Sequence, residues 1–363
     1  MHHLTKLHAL YGEFGQSPWI DNLKRSWLGD GTLSSLIDQG VRGLTSNPSI
    51  MANAILHGEG YQEQIEKLSS HSAEFIYWEL VLTDIEGAAD QLLDLYYASD
   101  GRDGFVSVEV DPRFASDPSA TIDSALEIYE RIAMPNLMIK IPATKECLPA
   151  ITEVIGRGIS VNATLIFGLD RYQEVCQAHL SGVQKLAKQH PAKLRSTHSV
   201  ASFFVSRTDT LVDSLIDSLG GPPYLKGKAA LASAKLAYEF FSSFTATKEW
   251  MDLKQVGGVP QRPLWASTST KNPQYPDLLY VDCLIGPDTV NTMPTATMEA
   301  FLDHGALSIG ITEGLDEARS TYRKLVELGI DLAAVFNQLE DEGVKAFSDS
   351  HEQILSTLAR QIA

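Results

Sequence analysis

The chain has 363 residues, and its 46 acidic and 29 basic side chains give a formal net charge of −17. Binding to nucleic acid or to an anionic membrane surface requires a basic face, so this charge disfavours both kinds of partner. With 44% hydrophobic and 21% charged residues, the composition is typical of a globular protein that can bury a large core.

Cysteine and histidine patterns argue against metal sites and disulfides. Cys147, Cys176 and Cys283 are far apart and follow no CxxC spacing, which predicts buried, reduced thiols. The ten histidines form no HExxH or comparable ligand spacing, so no metal is expected. No signal-peptide segment is visible, and no stretch approaches the roughly 18 consecutive apolar residues of a membrane span. We therefore expect a cytoplasmic protein.

Short apolar or β-branched runs recur along the chain, and helical patterns follow them. This alternation predicts a parallel sheet closed into a (β/α)8 TIM barrel. An open doubly wound sheet is the competitor, but no GxGxxG follows the first run. The eight predicted strands are residues 18–23, 42–48, 105–112, 137–144, 159–167, 198–207, 264–270 and 290–294.

Two connections are long enough to need helices of their own, because a structureless loop of that length is unusual inside a compact domain. They are the β2–β3 and β6–β7 connections of the predicted barrel. Residues 295–363 are predicted to form terminal helices that pack on the outside. The length alone allows two domains, but the pattern predicts that residues 1–363 form a single barrel domain.

Alternation within the strands separates apolar from polar side chains, as expected where one face meets the helices and the other faces the lumen. Polar groups near the carboxyl ends of barrel strands fall where barrel enzymes place their catalysis. The polar faces carry Asp21, opposite Ile20; Ser107, Glu109 and Asp111, opposite Val106, Val108 and Val110; Met138 and Lys140, opposite Leu137, Ile139 and Ile141; and Asn162 and Thr164, opposite Val161, Ala163, Leu165 and Phe167.

Lys140 is the strongest candidate for a catalytic residue. A lysine among apolar residues is expected to be partly desolvated, which favours the neutral amine that attacks a carbonyl to form a Schiff base. The alternative is a structural ion pair with an internal carboxylate such as Glu109. Glu109 and Asp21 are candidate acid–base groups. Asn47, Asn162, Thr164 and Ser202 suit a polyhydroxylated substrate, although each could instead satisfy a buried backbone group.

Five motifs together resemble the transaldolase family, and specifically its larger bacterial members. They are TSNPS at 45–49, SVEVDPR at 107–113, MIKIPAT at 138–144, GISVNATLIF at 158–167 and SFFVSR at 202–207. Their order and intervals agree with the family over residues 21–294. The resemblance implies transfer of a dihydroxyacetone unit from sedoheptulose 7-phosphate to glyceraldehyde 3-phosphate, without metal or cofactor. The products are erythrose 4-phosphate and fructose 6-phosphate, within the non-oxidative pentose phosphate pathway.

The resemblance also implies roles for individual residues. Lys140 matches the lysine that forms the Schiff base. Glu109 and Thr164 match the pair that positions and activates a water, and Asp21 matches the base whose action breaks the carbon–carbon bond. Arg207 matches a phosphate ligand. The matches to residues that contact substrate hydroxyl groups are Asn47, Asn162 and Ser202.

The chain departs from the family at the seventh strand, where many members carry A-S-x-R with the serine and arginine on the phosphate. Here the sequence is ASTSTKN at 266–272, so no arginine occupies the matching place. Lys271 is two residues late and could act as a point charge, with Ser267 or Ser269 donating hydrogen bonds. The alternative is a surface lysine after a strand.

Two other functions stay open at this point. One is an aldolase that only cleaves or forms fructose 6-phosphate, with water or a proton quenching the enamine. The other is a catalytically silent barrel that binds sugar phosphates or partner proteins. Sugar phosphates are the expected ligands, and the sequence is compatible with either a monomer or a homodimer.

Overall fold

The computed structural model describes residues 4–362. Eight parallel strands close into a barrel in sequence order, which confirms the predicted (β/α)8 architecture. Each predicted run contains or overlaps one strand. The strands are β1 (Gln16–Ile20), β2 (Gly43–Thr45), β3 (Phe105–Glu109), β4 (Leu137–Pro142), β5 (Val161–Ile166), β6 (Ser199–Phe204), β7 (Arg262–Ala266) and β8 (Thr289–Met293).

The predicted extra helices are also present. Three helices, α4 to α6, fill the β2–β3 connection, α10 to α12 fill the β6–β7 connection, and α14 to α16 follow β8. The helices are α1 (Lys6–Gly12), α2 (Arg25–Gly29), α3 (Thr32–Asp38), α4 (Pro48–His57), α5 (Gln62–Lys67), α6 (Ala73–Ala98), α7 (Pro118–Ile132), α8 (Leu148–Gly156), α9 (Leu169–Gln189), α10 (Ser206–Ser218), α11 (Ala229–Phe244), α12 (Lys248–Gln255), α13 (Leu279–Asp282), α14 (Thr295–His304), α15 (Leu315–Glu327) and α16 (Leu332–Gln361).

The predicted alternation holds in β3 and β4. Val106, Val108 and Ile139 belong to the large apolar core between the sheet and the surrounding helices. The alternate residues of the same strands face the lumen, where the Lys140 ammonium lies 3.4 Å from the Glu109 carboxylate. The register pairs Glu109 with Lys140, and Lys140 with Asn162 of β5, so three neighbouring strands place polar side chains at one level.

The predicted alternation is wrong in the second half of β5. Its register against β6 shifts between Ala163 and Ile166, and Leu165 has a left-handed backbone with φ of 62°. This bulge inserts one residue and reverses the parity. Ile166 therefore joins the helix-facing core. Leu165 and Phe167, predicted to share a face with Ala163, instead pack in a separate apolar cluster that also contains Trp19 and Phe105.

Side chains fill the lumen below the level of Lys140. Trp19 and Phe105 are fully buried there, with ring centroids 6.4 Å apart. Gly43 makes room for the indole, because a Cβ at that position would lie 2.5 Å from the Trp19 ring. Nearer the amino ends of the strands, the buried Asp103 carboxylate accepts hydrogen bonds from Ser17 and Arg262. The barrel is thus a packed core with a polar base.

The last helix does not pack on the outside of the barrel, contrary to the prediction for residues 295–363. Helix α16 begins at an N-cap, Asp331, whose side chain accepts a hydrogen bond from the Ala334 backbone. It then packs against α4, α6, α10 and β5. Because α4 and α10 start where β2 and β6 end, α16 crosses the mouth formed by the carboxyl ends of the strands.

The three cysteines are free, as predicted, and Cys147 and Cys176 are buried whereas Cys283 is half-buried. Over residues 4–362, no helix is both long enough and apolar enough to cross a membrane.

Candidate active site

A cavity of about 160 Å³ opens at the carboxyl ends of the strands. Its walls come from strands β2, β4, β6, β7 and β8 and from the segments that follow β1, β2, β6, β7 and β8. Helix α16 adds one residue. The lining residues are Asp21, Thr45, Asn47, Ser49, Lys140, Ser202, Phe204, Arg207, Ala266, Ser267, Ser269, Lys271, Thr292, Pro294 and Phe347. Seven of the ten predicted site residues line this one cavity.

Lys140 lies at the inner end of the cavity and is 3% exposed. Its Nζ donates a hydrogen bond of 2.9 Å to the backbone carbonyl of Ser46 and lies 3.4 Å from Glu109 Oε2. The ion pair that the sequence offered as a structural alternative is therefore present. Because Lys140 also lines the cavity, the pair is placed for chemistry as well, since a carboxylate at this distance can take a proton from the ammonium.

Glu109 is buried behind the lysine. Its two carboxyl oxygens form no hydrogen bond with any group among residues 4–362. Desolvation raises the pKa of Glu109 to about 7, although the positive charge of Lys140 opposes the shift. This carboxyl therefore changes charge near neutral pH, as a residue that exchanges protons during catalysis needs to do.

We expect Glu109 to make stability depend on pH. Between its ordinary pKa of 4.5 and its folded value of about 7, the folded chain holds a proton that the unfolded chain has lost. The carboxyl's contribution to stability is therefore full below pH 4.5 and is lost as the pH rises toward 7. Relative to Glu109→Gln, the wild-type free energy of unfolding should fall by about 3 kcal/mol between pH 4.5 and 8. Denaturant titrations across this range measure it.

The matched control is Glu66→Gln, which changes an exposed carboxyl on α5 and should keep the wild-type pH dependence. If Glu109→Gln and the wild type showed the same pH dependence of stability, the raised pKa of Glu109 would be wrong.

Asp21 follows β1 and faces Lys140 across the cavity. Desolvation raises its pKa, while the charge of Lys140 and a hydrogen bond from Thr45 favour the ionised form. The Thr45 hydroxyl donates to Asp21 Oδ1 at 2.6 Å and also lies 2.6 Å from the Thr292 hydroxyl. This chain of hydroxyl groups fixes the carboxylate in the cavity.

Asn162 and Ser202 form a hydrogen-bonded row beside the lysine. Ser202 Oγ donates to Asn162 Oδ1 at 2.6 Å, and Asn162 Nδ2 donates to Ser107 Oγ at 3.2 Å. Of these, Ser202 reaches the cavity, whereas Asn162 is fully buried behind it. Thr164 is also fully buried and away from the cavity wall, and its hydroxyl has no hydrogen-bond partner among the described residues.

Asn47 combines both of the roles that the sequence left open. Its Oδ1 accepts a hydrogen bond of 2.9 Å from the Ile50 backbone and so caps helix α4. The same side chain lines the cavity. Capping occupies the carbonyl oxygen, so the amide nitrogen is the group that can donate to a ligand.

The outer end of the cavity is cationic. Arg207 lies in the first turn of α10, and it forms no ion pair with any carboxylate of the described chain. Lys271 lies close enough that its pKa is lowered, first by partial burial and then by repulsion from Arg207. The Lys271 Nζ donates to Ser269 Oγ at 2.7 Å, and the Ser267 and Ser206 hydroxyls are 2.8 Å apart. Two cations beside hydroxyl groups provide the kind of hydrogen-bond donors that an anion requires.

Comparison with known families agrees with this geometry. The sequence model of the transaldolase/fructose-6-phosphate aldolase family matches residues 18–358. The chain belongs to this family. Membership accounts for the eight-stranded barrel, and it confirms the resemblance drawn from the five motifs.

Curated relatives within the family match the chain over nearly its whole length. Transaldolase 1 of Streptomyces avermitilis is 47% identical over 354 residues, which cover 96% of this chain and 93% of the relative. The transaldolase of Saccharopolyspora erythraea is 45% identical over 362 residues, covering 99% and 98%. The transaldolase of Thermobifida fusca is 45% identical over 355 residues, covering 96% of each chain. The predicted enzyme class, a transaldolase-type transferase acting on sugar phosphates, is confirmed.

Several residues of this family member's cavity escaped the sequence analysis. Thr45 ends β2 and alternates with the core residue Leu44, so the alternation could have found it. Thr292 lies one residue before the end of β8 and shares its face with Val290, so alternation does not single it out. Phe347 carries no such signal, because it lies in a terminal helix far from the strand motifs. In the described part of the chain, no group of three or more His, Cys, Asp or Glu side chains is arranged to hold a metal ion.

Proposed function

We propose that the chain transfers a dihydroxyacetone unit from sedoheptulose 7-phosphate to glyceraldehyde 3-phosphate through a Schiff base on Lys140. One observation carries this proposal: a buried lysine, paired with a carboxyl of raised pKa, lies at the inner end of a cavity whose outer end holds two cations. The products are erythrose 4-phosphate and fructose 6-phosphate. We place the enzyme in the cytoplasm, in the non-oxidative pentose phosphate pathway, as one domain of residues 1–363.

Formation of the Schiff base begins with the Lys140–Glu109 pair. Glu109 takes a proton from the ammonium, and the neutral amine adds to the C2 carbonyl of the donor. The carbinolamine then loses water and becomes an iminium ion. The Glu109 carboxyl and the Thr164 hydroxyl form no hydrogen bonds within the described chain. They position and activate the water that leaves in this step and that returns when the Schiff base is hydrolysed.

Asp21 is the base for cleavage of the carbon–carbon bond. Its carboxylate takes the proton from the C4 hydroxyl, the C3–C4 bond breaks, and the electron pair moves into the iminium to give an enamine. Erythrose 4-phosphate leaves. The enamine then attacks the aldehyde of glyceraldehyde 3-phosphate, and Asp21 returns the proton to the new hydroxyl. Thr45 holds the carboxylate in place through its hydrogen bond of 2.6 Å.

Arg207 and Lys271 bind the phosphate. Arg207 supplies a planar fork of donors, and Lys271 acts as a point charge that replaces the family's strand-seven arginine. The hydroxyls of Ser267 and Ser269, which line the same end of the cavity, are the remaining phosphate-binding groups. Ser202 and the Asn47 amide nitrogen contact hydroxyl groups of the sugar, and Asn162 holds Ser202 in position.

A coupled assay tests this function. Sedoheptulose 7-phosphate and glyceraldehyde 3-phosphate are supplied with a chelator, and both products are measured. Formation of fructose 6-phosphate in proportion to erythrose 4-phosphate supports transfer. Free dihydroxyacetone without transfer would show an aldolase instead, and binding without turnover would show a silent barrel. Light scattering during size-exclusion chromatography distinguishes a monomer from a homodimer, and neither nucleic acid nor membrane is expected to bind.

Removing either cation should weaken phosphate binding. In Arg207→Ala and in Lys271→Ala, we expect kcat/KM for phosphorylated substrates to fall by roughly 10- to 100-fold, because each cation makes a charge-assisted hydrogen bond of about 1.5 to 3 kcal/mol. Steady-state kinetics with phosphorylated and unphosphorylated acceptors measures the effect.

The unphosphorylated acceptor is the internal control, since neither substitution should change its kcat/KM. Arg157→Ala is the matched variant, because Arg157 is exposed and pairs with Glu153 on the outer surface. Equal losses with both acceptors would overturn the phosphate assignment.

A further inference from the structure

We propose that Phe347, carried by helix α16, determines whether the Lys140 enamine reacts with an acceptor sugar or is lost to water. The inference rests on the proposed function, since it concerns the fate of that intermediate. Phe347 is 4% exposed and lines the same cavity as Asp21 and Lys140. Among the lining residues, it alone comes from the terminal helix.

One face of α16 is buried along its whole length at helical spacing. The buried residues are Leu332, Val335, Leu339, Gly343, Phe347, His351, Ile354 and Leu358. Gly343 lets the helix approach the barrel closely, since a Cβ there would lie 2.9 Å from a Leu165 methyl carbon. The β5 bulge that turns Leu165 away from the helix-facing core therefore seats α16 over the mouth.

Contacts on both sides of the cavity hold the helix there. The hydroxyls of Ser350 and Ser49 lie 2.7 Å apart, and Ser49 itself lines the cavity. His351 is fully buried, with its ring centroid 4.8 Å from that of Tyr77 and its Nδ1 3.5 Å from the Asp111 carboxylate. Because residues 347, 350 and 351 share one face, these contacts fix the position of the Phe347 ring.

The chemistry explains why an apolar ring is needed at this place. Phe347 and Phe204 are the two aromatic residues in a wall that, apart from Ala266 and Pro294, carries hydroxyl, amide and charged groups. If a proton adds to C3 of the enamine, an iminium ion forms. Addition of one water then breaks the C–N bond, releasing dihydroxyacetone and returning Lys140 as its ammonium. The second step needs water beside the iminium carbon, and an aromatic side chain at this place excludes it.

The test compares Phe347→Ala and Phe347→Leu with Phe336→Ala. Phe336 lies on the same helix but packs against Gly168, outside the cavity. With sedoheptulose 7-phosphate as donor, free dihydroxyacetone and transferred product are quantified in the presence of acceptor. In Phe347→Ala the ratio of hydrolysis to transfer should rise about tenfold, which corresponds to roughly 1.4 kcal/mol in relative barrier height. Phe347→Leu should restore most of the wild-type ratio, and Phe336→Ala should keep it.

Two outcomes would overturn the inference. One is an unchanged ratio in both Phe347 variants, even if total turnover falls. The other is an equal rise in Phe336→Ala, which would show that loosening α16 anywhere has the same effect. Borohydride trapping of the three-carbon unit on Lys140 in the wild type separates these outcomes from failure of the proposed function. If the wild type forms no adduct, the mechanism fails; if it does, only the role of Phe347 is in question.

Discussion

Lys140→Ala should abolish transfer, with a loss in kcat of at least about a thousandfold, because no other group can form the covalent intermediate. In the wild type, borohydride reduction in the presence of the donor should attach a three-carbon unit to Lys140. Peptide mass spectrometry locates that unit, and the variant should carry none. The cavity lining contains two lysines, and the second, Lys271, lies at the phosphate end.

Lys145→Ala is the control, since this lysine follows β4 in the chain but is exposed. It should keep both the label and the activity. Because Lys140→Ala leaves Glu109 without its ion-pair partner, its thermal unfolding should be recorded beside the kinetics. A folded Lys140→Ala protein that still transfers dihydroxyacetone would exclude the Schiff-base mechanism.

Asp21→Asn should separate adduct formation from bond cleavage. The amide keeps the size of the side chain but cannot take a proton, so we expect kcat to fall by about 10²- to 10⁴-fold, the range typical of general-base catalysis. Lys140 should still react with the donor. Reduction with borohydride should then trap the intact seven-carbon ketose phosphate on Lys140, in place of the three-carbon unit trapped in the wild type.

Asp38→Asn, which changes an exposed carboxylate on α3, should behave as the wild type does in both measurements. Turnover of Asp21→Asn at the wild-type rate would contradict the assigned role. So would a three-carbon adduct in that variant, because cleavage would then proceed without the base.

The barrel and most of the proposed catalytic layer could be predicted from the sequence, because the side chains of a strand alternate between its two faces. That rule put Glu109, Lys140 and Asn162 on the lumen-facing side of their strands, and the strand register brings the three to one level. The rule fails at Leu165, where one bulged residue reverses the alternation. A bulge depends on backbone conformation that the residue types around it do not specify.

Contacts between distant parts of the chain could not be predicted from the sequence, for a different reason. The helical pattern of 332–361 shows that one face is buried, but it does not say which surface covers that face. The position of Phe347 follows from the fit of Gly343 against Leu165 and of His351 against Tyr77. Lys271 was proposed from the loss of the strand-seven arginine, and the structure brings it beside Arg207.

The filled lumen has a kinetic consequence. Trp19, Phe105 and the Asp103 hydrogen-bond network fill the barrel below Lys140. In the described chain, the sugars therefore enter and leave at the carboxyl ends of the strands. The first aldose must therefore depart before the second can reach the enamine. We therefore expect a ping-pong sequence, in which erythrose 4-phosphate and glyceraldehyde 3-phosphate compete for the form of the enzyme that carries the three-carbon enamine.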